Sequence, residues 1–450
     1  MELIRKIYEA GVVGAGGAGF PTHKKLNCKV EYLILNGAEC EPLLKSDQYL
    51  MRNMSSQLVS AAELIGDSVG ASRIIFALKK KYVNEADSIK EAIEKTGARA
   101  EIFYMDGIYP AGDEQILVYE VTGRTVEPGG IPLSVGTVVI NINTVFNVSE
   151  AVNNRAVTFR YVTVNGEVKK PVIVKAPLGS SVSECIEAAG GTDLRDYSVI
   201  MGGPMMGKLL DRQQVENRYI TKTDGGIIII PADHYLVKRD SMPIEHIVNQ
   251  AKSACIQCSY CTEMCPRYLI GHQLRPHRIM RSIAMGAFDT AIYNEALICC
   301  ECGICELYAC PMGLSPRKVN IYLKNKLRSK GVKFMDSRID SSNTAMRDFR
   351  KIPQSRLIGR VCMAKYDRKI DNTVAELHPE KVCIPLKQHI GASAIPVIKP
   401  GEEVREGQLI AASDYDGMGA NVHASIAGRI EAVSNDCIVI TAADRGDSEC

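Results

Sequence analysis

Apolar and polar positions change period several times along the chain. Glu2–Ala10 spaces its apolar residues as one face of a short amphipathic helix. Gly11–Gly19 interrupts it as a glycine-rich loop. Val30–Leu35, Arg73–Ala77, Ala100–Tyr104 and Val135–Ile142 predict strands, and Gln57–Ile65 and Val83–Lys95 predict helices between them. Strands alternating with helices over the first ~150 residues predict an α/β layer domain.

The pattern then shifts. Arg160–Val164 and Lys169–Val174 flank Asn165-Gly166 and predict a hairpin with Asn-Gly as its turn. Ser183–Ala189 predicts a short helix, and Gly202–Gly207 must be a loop because Gly and Pro cannot hold a regular element there. These features make a small α+β unit over Tyr161–Asp233. Ile270–Leu297 repeats apolar residues at about helical spacing, and Val319–Leu327 predicts a further helix. Arg338–Asp371 is polar and charged and predicts a linker or arm. From Val382 the chain turns β-rich, and Lys399–Gly401, Glu406-Gly407 and Ala427-Gly428 punctuate the short strands of a small barrel or sandwich.

Composition narrows the function classes. Lys plus Arg is 54 and Asp plus Glu is 52, a net charge of 54 − 52 = +2. That excludes a strongly basic nucleic-acid binder and an acidic disordered chain. The longest uncharged stretch, Pro128–Ser149, is too rich in Gly, Pro and Asn for a membrane-spanning helix, so the chain reads as soluble with no transmembrane span. Met1–Ala10 is charged and predicts no signal peptide.

Cysteine is the unusual residue. Nine of the sixteen fall between Cys255 and Cys310. Cys255-x2-Cys258-x2-Cys261-x3-Cys265-Pro266 is the run that bacterial ferredoxins use for [4Fe–4S] clusters. Three thiolates at three-residue intervals wrap three corners of a cubane, and the Cys-Pro cysteine serves the other cluster. Cys299-x2-Cys302-x2-Cys305-x4-Cys310-Pro311 repeats the pattern with one extra residue. The crossover predicts one set of Cys255, Cys258, Cys261 and Cys310, and a second of Cys299, Cys302, Cys305 and Cys265. Cys300 is left without a role. Zinc sites prefer paired Cys-x2-Cys units, so two iron–sulfur clusters in a reducing compartment are the expectation.

Gly14-Ala-Gly-Gly-Ala-Gly19 formally satisfies G-x-G-x-x-G, yet a helix and not a strand precedes it. Taken alone it is an ordinary turn whose backbone a ligand could approach closely. Read as Gly14–Leu26, the segment resembles the signature of the NADH-binding flavoprotein subunit of respiratory complex I and of the RnfC protein of Rnf electron-transport complexes. Asn36–Pro42, Tyr109–Glu114 and Asn141–Thr144 resemble the next three motifs of that superfamily. The resemblance implies that Gly14, Gly16, Gly17, Gly19 and Lys25 hold the phosphate and ribityl part of FMN. It implies that Asn36, Glu39, Tyr109, Glu114, Asn141 and Thr144 line the flavin. Glu39 and Glu41 would be the catalytic pair facing the nicotinamide, with Phe20 as a stacking residue. Ala38 and Cys40 resemble the Rnf branch.

The same resemblance implies a multidomain α/β plus α+β protein. A Rossmann-like FMN/NADH domain would span 1–155 and a soluble-ligand-binding β-grasp domain 156–240. An α-helical two-cluster ferredoxin domain would span 241–330, a linker 331–380, and a barrel-sandwich hybrid 381–450. Its tip hairpin, Val422–Ile430, has no carrier lysine at Ala424–Gly428, which implies docking or structure and no swinging arm. The flavin domain comes first and the barrel last, the order in the propanediol-utilisation cobalamin reductases of bacterial microcompartments. That family implies NADH as donor, FMN and two [4Fe–4S] clusters as cofactors, and cobalamin as acceptor. It also implies a cobalamin adenosyltransferase and shell proteins as partners, inside a cytoplasmic microcompartment. An RnfC-like electron-transfer protein, or a carrier serving a radical-enzyme activase, is the alternative. No Asp-x-His-x-x-Gly cobalamin motif is present, so the acceptor rests on resemblance alone.

Overall fold

The computed structural model describes residues 2–286, 291–370 and 372–443. Strands β1 (Tyr32–Asn36), β2 (Arg73–Lys79), β3 (Glu101–Met105), β4 (Ile108–Tyr109) and β5 (Thr137–Asn141) belong to the first unit. Four of them form a parallel sheet in the order β3-β2-β1-β5. Both faces are covered, so β1 and β5 are continuous apolar runs. Helices Ser55–Val69 and Val83–Thr96 end on left-handed Gly70 and Gly97, which terminate them without a Cβ clash. Chain order reverses between β1 and β5, and their register sets Asn36 beside Asn141 at the carboxyl ends. This is the switch point where parallel α/β sheets bind ligands.

The second unit adds β6 (Phe159–Gly166), β7 (Val172–Pro177), β8 (Tyr197–Met201), β9 (Lys208–Asp211) and β10 (Gly226–Pro231). The Asn165-Gly166 pair is not the turn that its sequence predicts. It lies inside β6, parallel to β10, where a Cβ on Gly166 would stand 2.0 Å from the Ile229 carbonyl oxygen. Close strand approach explains the glycine, and the chain turns over 167–171 instead.

The cysteine region packs helices Ile244–Ala254, Pro276–Ala284 and Pro316–Ser329 around Ile247, Ile279 and Val319. The long helix expected over Ile270–Leu297 is instead one helix from Pro276 and a 3₁₀ run, Ala291–Ile298. Pro276 can only open a helix, and left-handed Gly286 follows its end. Residues 287–290 of that expectation lie outside the described residues.

The segment expected as a linker is a structured strap. Its β11 (Ile352–Pro353) pairs antiparallel with β4, and its β12 (Val374–Glu376) extends the second sheet to β12-β7-β6-β10-β8-β9. The last unit contains β13 (Lys381–Pro385), β14 (Ile395–Pro396), β15 (Glu403–Val404), β16 (Leu409–Ala412), β17 (Val422–His423), β18 (Gly428–Val433) and β19 (Cys437–Ala442). Sheets β13-β19-β18-β15 and β14-β16-β17 close over Val382, Ile410 and Ile440. Among the described residues no helix is long and apolar enough to cross a membrane.

Candidate functional site

A cavity of about 380 Å³ opens at the switch point. Val13 bridges Pro21, and the Gly14 amide donates to the Phe20 carbonyl at 2.9 Å, so residues 14–20 form a closed loop. Thr144 Oγ1 accepts from the Ala15 amide at 2.9 Å, and Arg160 donates to the Ala15 carbonyl at 2.8 Å. Gly16 packs so near Asn141 that a Cβ would stand 2.9 Å from the Asn141 Cβ, whereas Gly17 faces open space. The walls include Gly14, Gly16, Gly17, Gly19, Phe20, Lys25, Asn36, Glu114, Asn141 and Thr144. Lys25 pairs with Glu114. Asn36 donates to the Gly112 carbonyl at 3.0 Å. Asn141 caps the helix Ile142–Val152 by accepting from the Asn143 amide at 2.9 Å.

Thr22 Oγ1 is buried in this wall with no hydrogen-bond partner among the described residues. An unpartnered hydroxyl, a cation and a glycine cradle are donors suited to a phosphate-bearing flavin. FMN therefore fits the residues present.

Glu39, Glu41 and Tyr109 stand outside the cavity lining. Glu41 is half-buried and hydrogen-bonded within the protein. Its carboxylate accepts from the Met205 amide at 3.0 Å and meets the Tyr109 hydroxyl at 3.5 Å. Glu39 Oε1 accepts from the Glu41 amide at 2.9 Å, and Lys79 donates to the Glu39 carbonyl at 2.5 Å. The strap covers this corner, where Gln354 donates to the Cys40 carbonyl at 3.0 Å. Burial, and then the neighbouring Asp47, raise the Glu39 pKa.

Burial likewise pushes Glu41 up to about 7, against the Met205 amide and Arg317. An unfolded glutamate ionises near 4.5, so between those values the folded chain keeps a proton that the unfolded chain has lost. Stability then falls as pH rises through this window. Glu41→Gln keeps an acceptor for Met205. It is expected to flatten that slope and to stabilise the fold at pH 8 by about 1–3 kcal/mol, read from urea midpoints across pH. An unchanged slope would rule out the protonated carboxyl.

The cysteines gather into two hollows. Cys255, Cys258, Cys261 and Cys310 line one, and Cys265, Cys299, Cys302 and Cys305 line the other, so the two runs exchange their last cysteine. Gln257, Ser259, Glu301 and Gly303 take positive φ between the cysteines, which tightens each turn. The Glu301 amide and the Asn320 amide group donate to Cys299 Sγ at 3.4 and 3.6 Å. The Leu314 amide donates to Cys310 Sγ at 3.3 Å. Hydrogen bonds to sulfur and thiols spread around a hollow fit cubanes, whose four thiolates bind four different irons. Among the described residues, no group of three or more His, Cys, Asp or Glu side chains could hold a single metal ion. Cys300 also lines the second hollow, against Cys302 and Arg267.

The second hollow touches the flavin unit directly. The Tyr109 hydroxyl donates to the Cys302 carbonyl at 2.8 Å, and Arg267 pairs with Asp113 at 2.8 Å. Asp113 caps the helix that begins at Glu114. Sequence reasoning missed Thr22, Arg160, Asp113 and Arg267. Thr22 and Asp113 lie inside the Gly14–Leu26 and Tyr109–Glu114 motifs, and Arg267 follows Cys265-Pro266 directly, whereas Arg160 carried no local signal.

Comparisons with known proteins agree with this layout. Residues 7–150 match the Nuo51 FMN-binding domain and 161–209 the SLBB domain. Residues 254–315 match a 4Fe-4S dicluster domain and 365–445 the RnfC barrel sandwich hybrid domain. Cobalamin reductase PduS of Salmonella typhimurium is 39% identical over 441 residues, covering 98% of this chain and 96% of that one. The chain belongs to the PduS cobalamin reductase family. The PduS of Citrobacter freundii is 38% identical over 437 residues, covering 97% and 95% of the two chains. A component of the proton-translocating ferredoxin:NAD(+) oxidoreductase complex of Clostridium ljungdahlii is 33% identical over 60% of this chain and 56% of its own. A chain of an NAD+-reducing [NiFe]-hydrogenase aligns with a TM-score of 0.48 at 20% identity, over 74% of this chain and 63% of that one. As a PduS-family member the chain is an oxidoreductase built for FMN and [4Fe–4S] cofactors.

Proposed function

We propose that the protein takes a hydride from NADH onto FMN and passes single electrons through two [4Fe–4S] clusters to cobalamin. The observation that carries this is the direct Tyr109–Cys302 contact, which joins the flavin unit to a set of four thiols. Bound FMN would accept two electrons at once and release them singly, and each cluster would carry one at a time. Gly14, Gly16, Gly17, Gly19 and Lys25 hold the phosphate and ribityl chain. Asn36, Glu114 and Asn141 line the ring, and Thr144 fixes the loop through Ala15. Phe20, 41% exposed, offers a face for the nicotinamide. Glu39 and Glu41, outside the cavity lining, face the incoming nicotinamide as the catalytic pair. Cys265, Cys299, Cys302 and Cys305 hold the buried cluster beside the flavin unit. Cys255, Cys258 and Cys261 are partly exposed and, with Cys310, hold the cluster nearer solvent, where an acceptor approaches. Likeness to the cobalamin reductases over nearly the full length, at 39% and 38% identity, supports cobalamin as that acceptor. It also supports a cytoplasmic microcompartment setting, with an adenosyltransferase and shell proteins as partners.

Anaerobically purified protein is expected to contain about one FMN and about eight irons per chain. NADH should bleach the flavin, and cob(III)alamin should reoxidise it. Absence of bleaching would sink NADH as donor, and bleaching without reoxidation would sink cobalamin as acceptor. Lys25→Ala is expected to weaken FMN binding about tenfold and leave the iron content unchanged, measured by flavin fluorescence titration.

A further inference from the structure

The barrel has no carrier lysine, yet it touches the glycine loop at both ends. The Ile390 amide donates to the Ala18 carbonyl at 2.8 Å, at the loop's exposed tip. Gly19, at φ 76°, lies so close that a Cβ would stand 2.7 Å from the His389 Cβ. Lys222 of the β-grasp unit is 1% exposed and pins the start of the loop. Its Nζ donates to the Gly11 carbonyl at 2.7 Å and to the Asn421 carbonyl of the barrel at 2.6 Å. Its own amide donates to Gln388 Oε1 of the barrel at 3.0 Å. Beyond the loop, Tyr415 of the barrel stacks on His23 at 5.6 Å and meets Tyr8 edge-on at 4.9 Å. His23 belongs to the short helix Thr22–Lys25 that carries Lys25.

We infer that the barrel-sandwich domain is a clamp that sets the phosphate-binding loop, with Ile390 and Lys222 as positioning residues. A loop of small residues has many conformations, and ligand binding must select one. Fixing Gly11 and Ala18 from outside removes that cost before FMN arrives. Linkage makes the effect reciprocal, so bound FMN must tighten the barrel's seat by the same factor. The inference rests on FMN occupying this cavity.

The test uses the full chain with its clusters. Ile390→Pro removes the amide donor, whereas Ile390→Ala keeps it at an exposed side chain. Lys222→Met keeps the length and removes both Nζ bonds. Ile390→Pro and Lys222→Met are each expected to weaken FMN about 5- to 50-fold, with iron content unchanged and Ile390→Ala matching wild type. Tight FMN binding by Ile390→Pro would overturn the clamp, and that variant decides the matter if Lys222→Met does not fold. In wild type, FMN should slow amide exchange over 388–390 and 413–421, and unchanged exchange would also overturn it. A wild-type chain that binds no FMN would instead remove the underlying flavin assignment.

Discussion

Cys302→Ala is expected to remove about half of the bound iron and to stop cobalamin reduction, while FMN and its bleaching by NADH survive. Cys302 shares its buried hollow with Cys265, Cys299 and Cys305, so losing it strips one corner of one cubane. The other four thiols line a separate hollow and keep their cluster. The glycine loop hangs on Thr144 and Arg160, which the substitution does not touch. Even the Tyr109 bond can persist, because its acceptor is the residue 302 carbonyl. On the proposed route, in which electrons pass through this cluster, loss of cobalamin reduction should exceed about 100-fold. Cys300→Ala supplies the contrast. Cys300 lines the same hollow, but on the proposed crossed ligand sets it is a neighbour, and its removal is expected to leave the iron content unchanged. Iron per FMN, with the electron paramagnetic resonance spectrum of the reduced protein, separates the two variants. Full iron in Cys302→Ala together with loss in Cys300→Ala would exchange their roles.

Much of this layout was legible in the sequence because it is local. Cysteine spacing lies within one turn of chain, and the crossover follows from two Cys-Pro pairs. The α/β pattern of the first unit follows from apolar runs such as Leu33–Leu35 and Ile74–Leu78, which must be buried wherever they go. Asn165-Gly166 misled because Gly serves two ends: it permits a tight turn, and it permits a second strand to approach. Only the tertiary pairing of β6 with β10 decides between them. The strap misled for a related reason. Polar residues such as Lys351 and Gln354 read as solvated, but the Gln354 amide group engages Cys40, Lys79 and Lys81. Glu41 shows the limit most sharply. Its hydrogen-bond partners Met205 and Tyr109 come from positions 164 and 68 residues away. No local pattern encodes such contacts.

Arg267→Met is expected to destabilise the protein by about 3–5 kcal/mol, and Asp113→Asn in the same chain to recover part of that loss. The pair is nearly buried, with side chains 11% and 16% exposed and 2.8 Å between them. Removing the cation leaves a mostly buried carboxylate without its charge partner. Neutralising Asp113 as well removes the stranded charge, and Asn retains an oxygen for the Gln115 and Ile116 amides that Asp113 caps. The double variant should therefore lie at least about 1 kcal/mol above the sum of the singles in a double-mutant cycle. The same pair has a functional readout. Arg267 follows the Cys-Pro of one thiol set, and Asp113 opens the helix whose first residue, Glu114, lines the flavin cavity. Breaking it loosens the seam that sets the spacing between flavin and cluster. Electron transfer over such a gap falls steeply with distance, whereas hydride transfer from NADH depends only on the flavin side. Stopped-flow traces should show flavin bleaching at the wild-type rate and cluster reduction slowed severalfold. Additive singles, or bleaching and cluster reduction slowed together, would mean that the ion pair only holds the fold and does not set the seam.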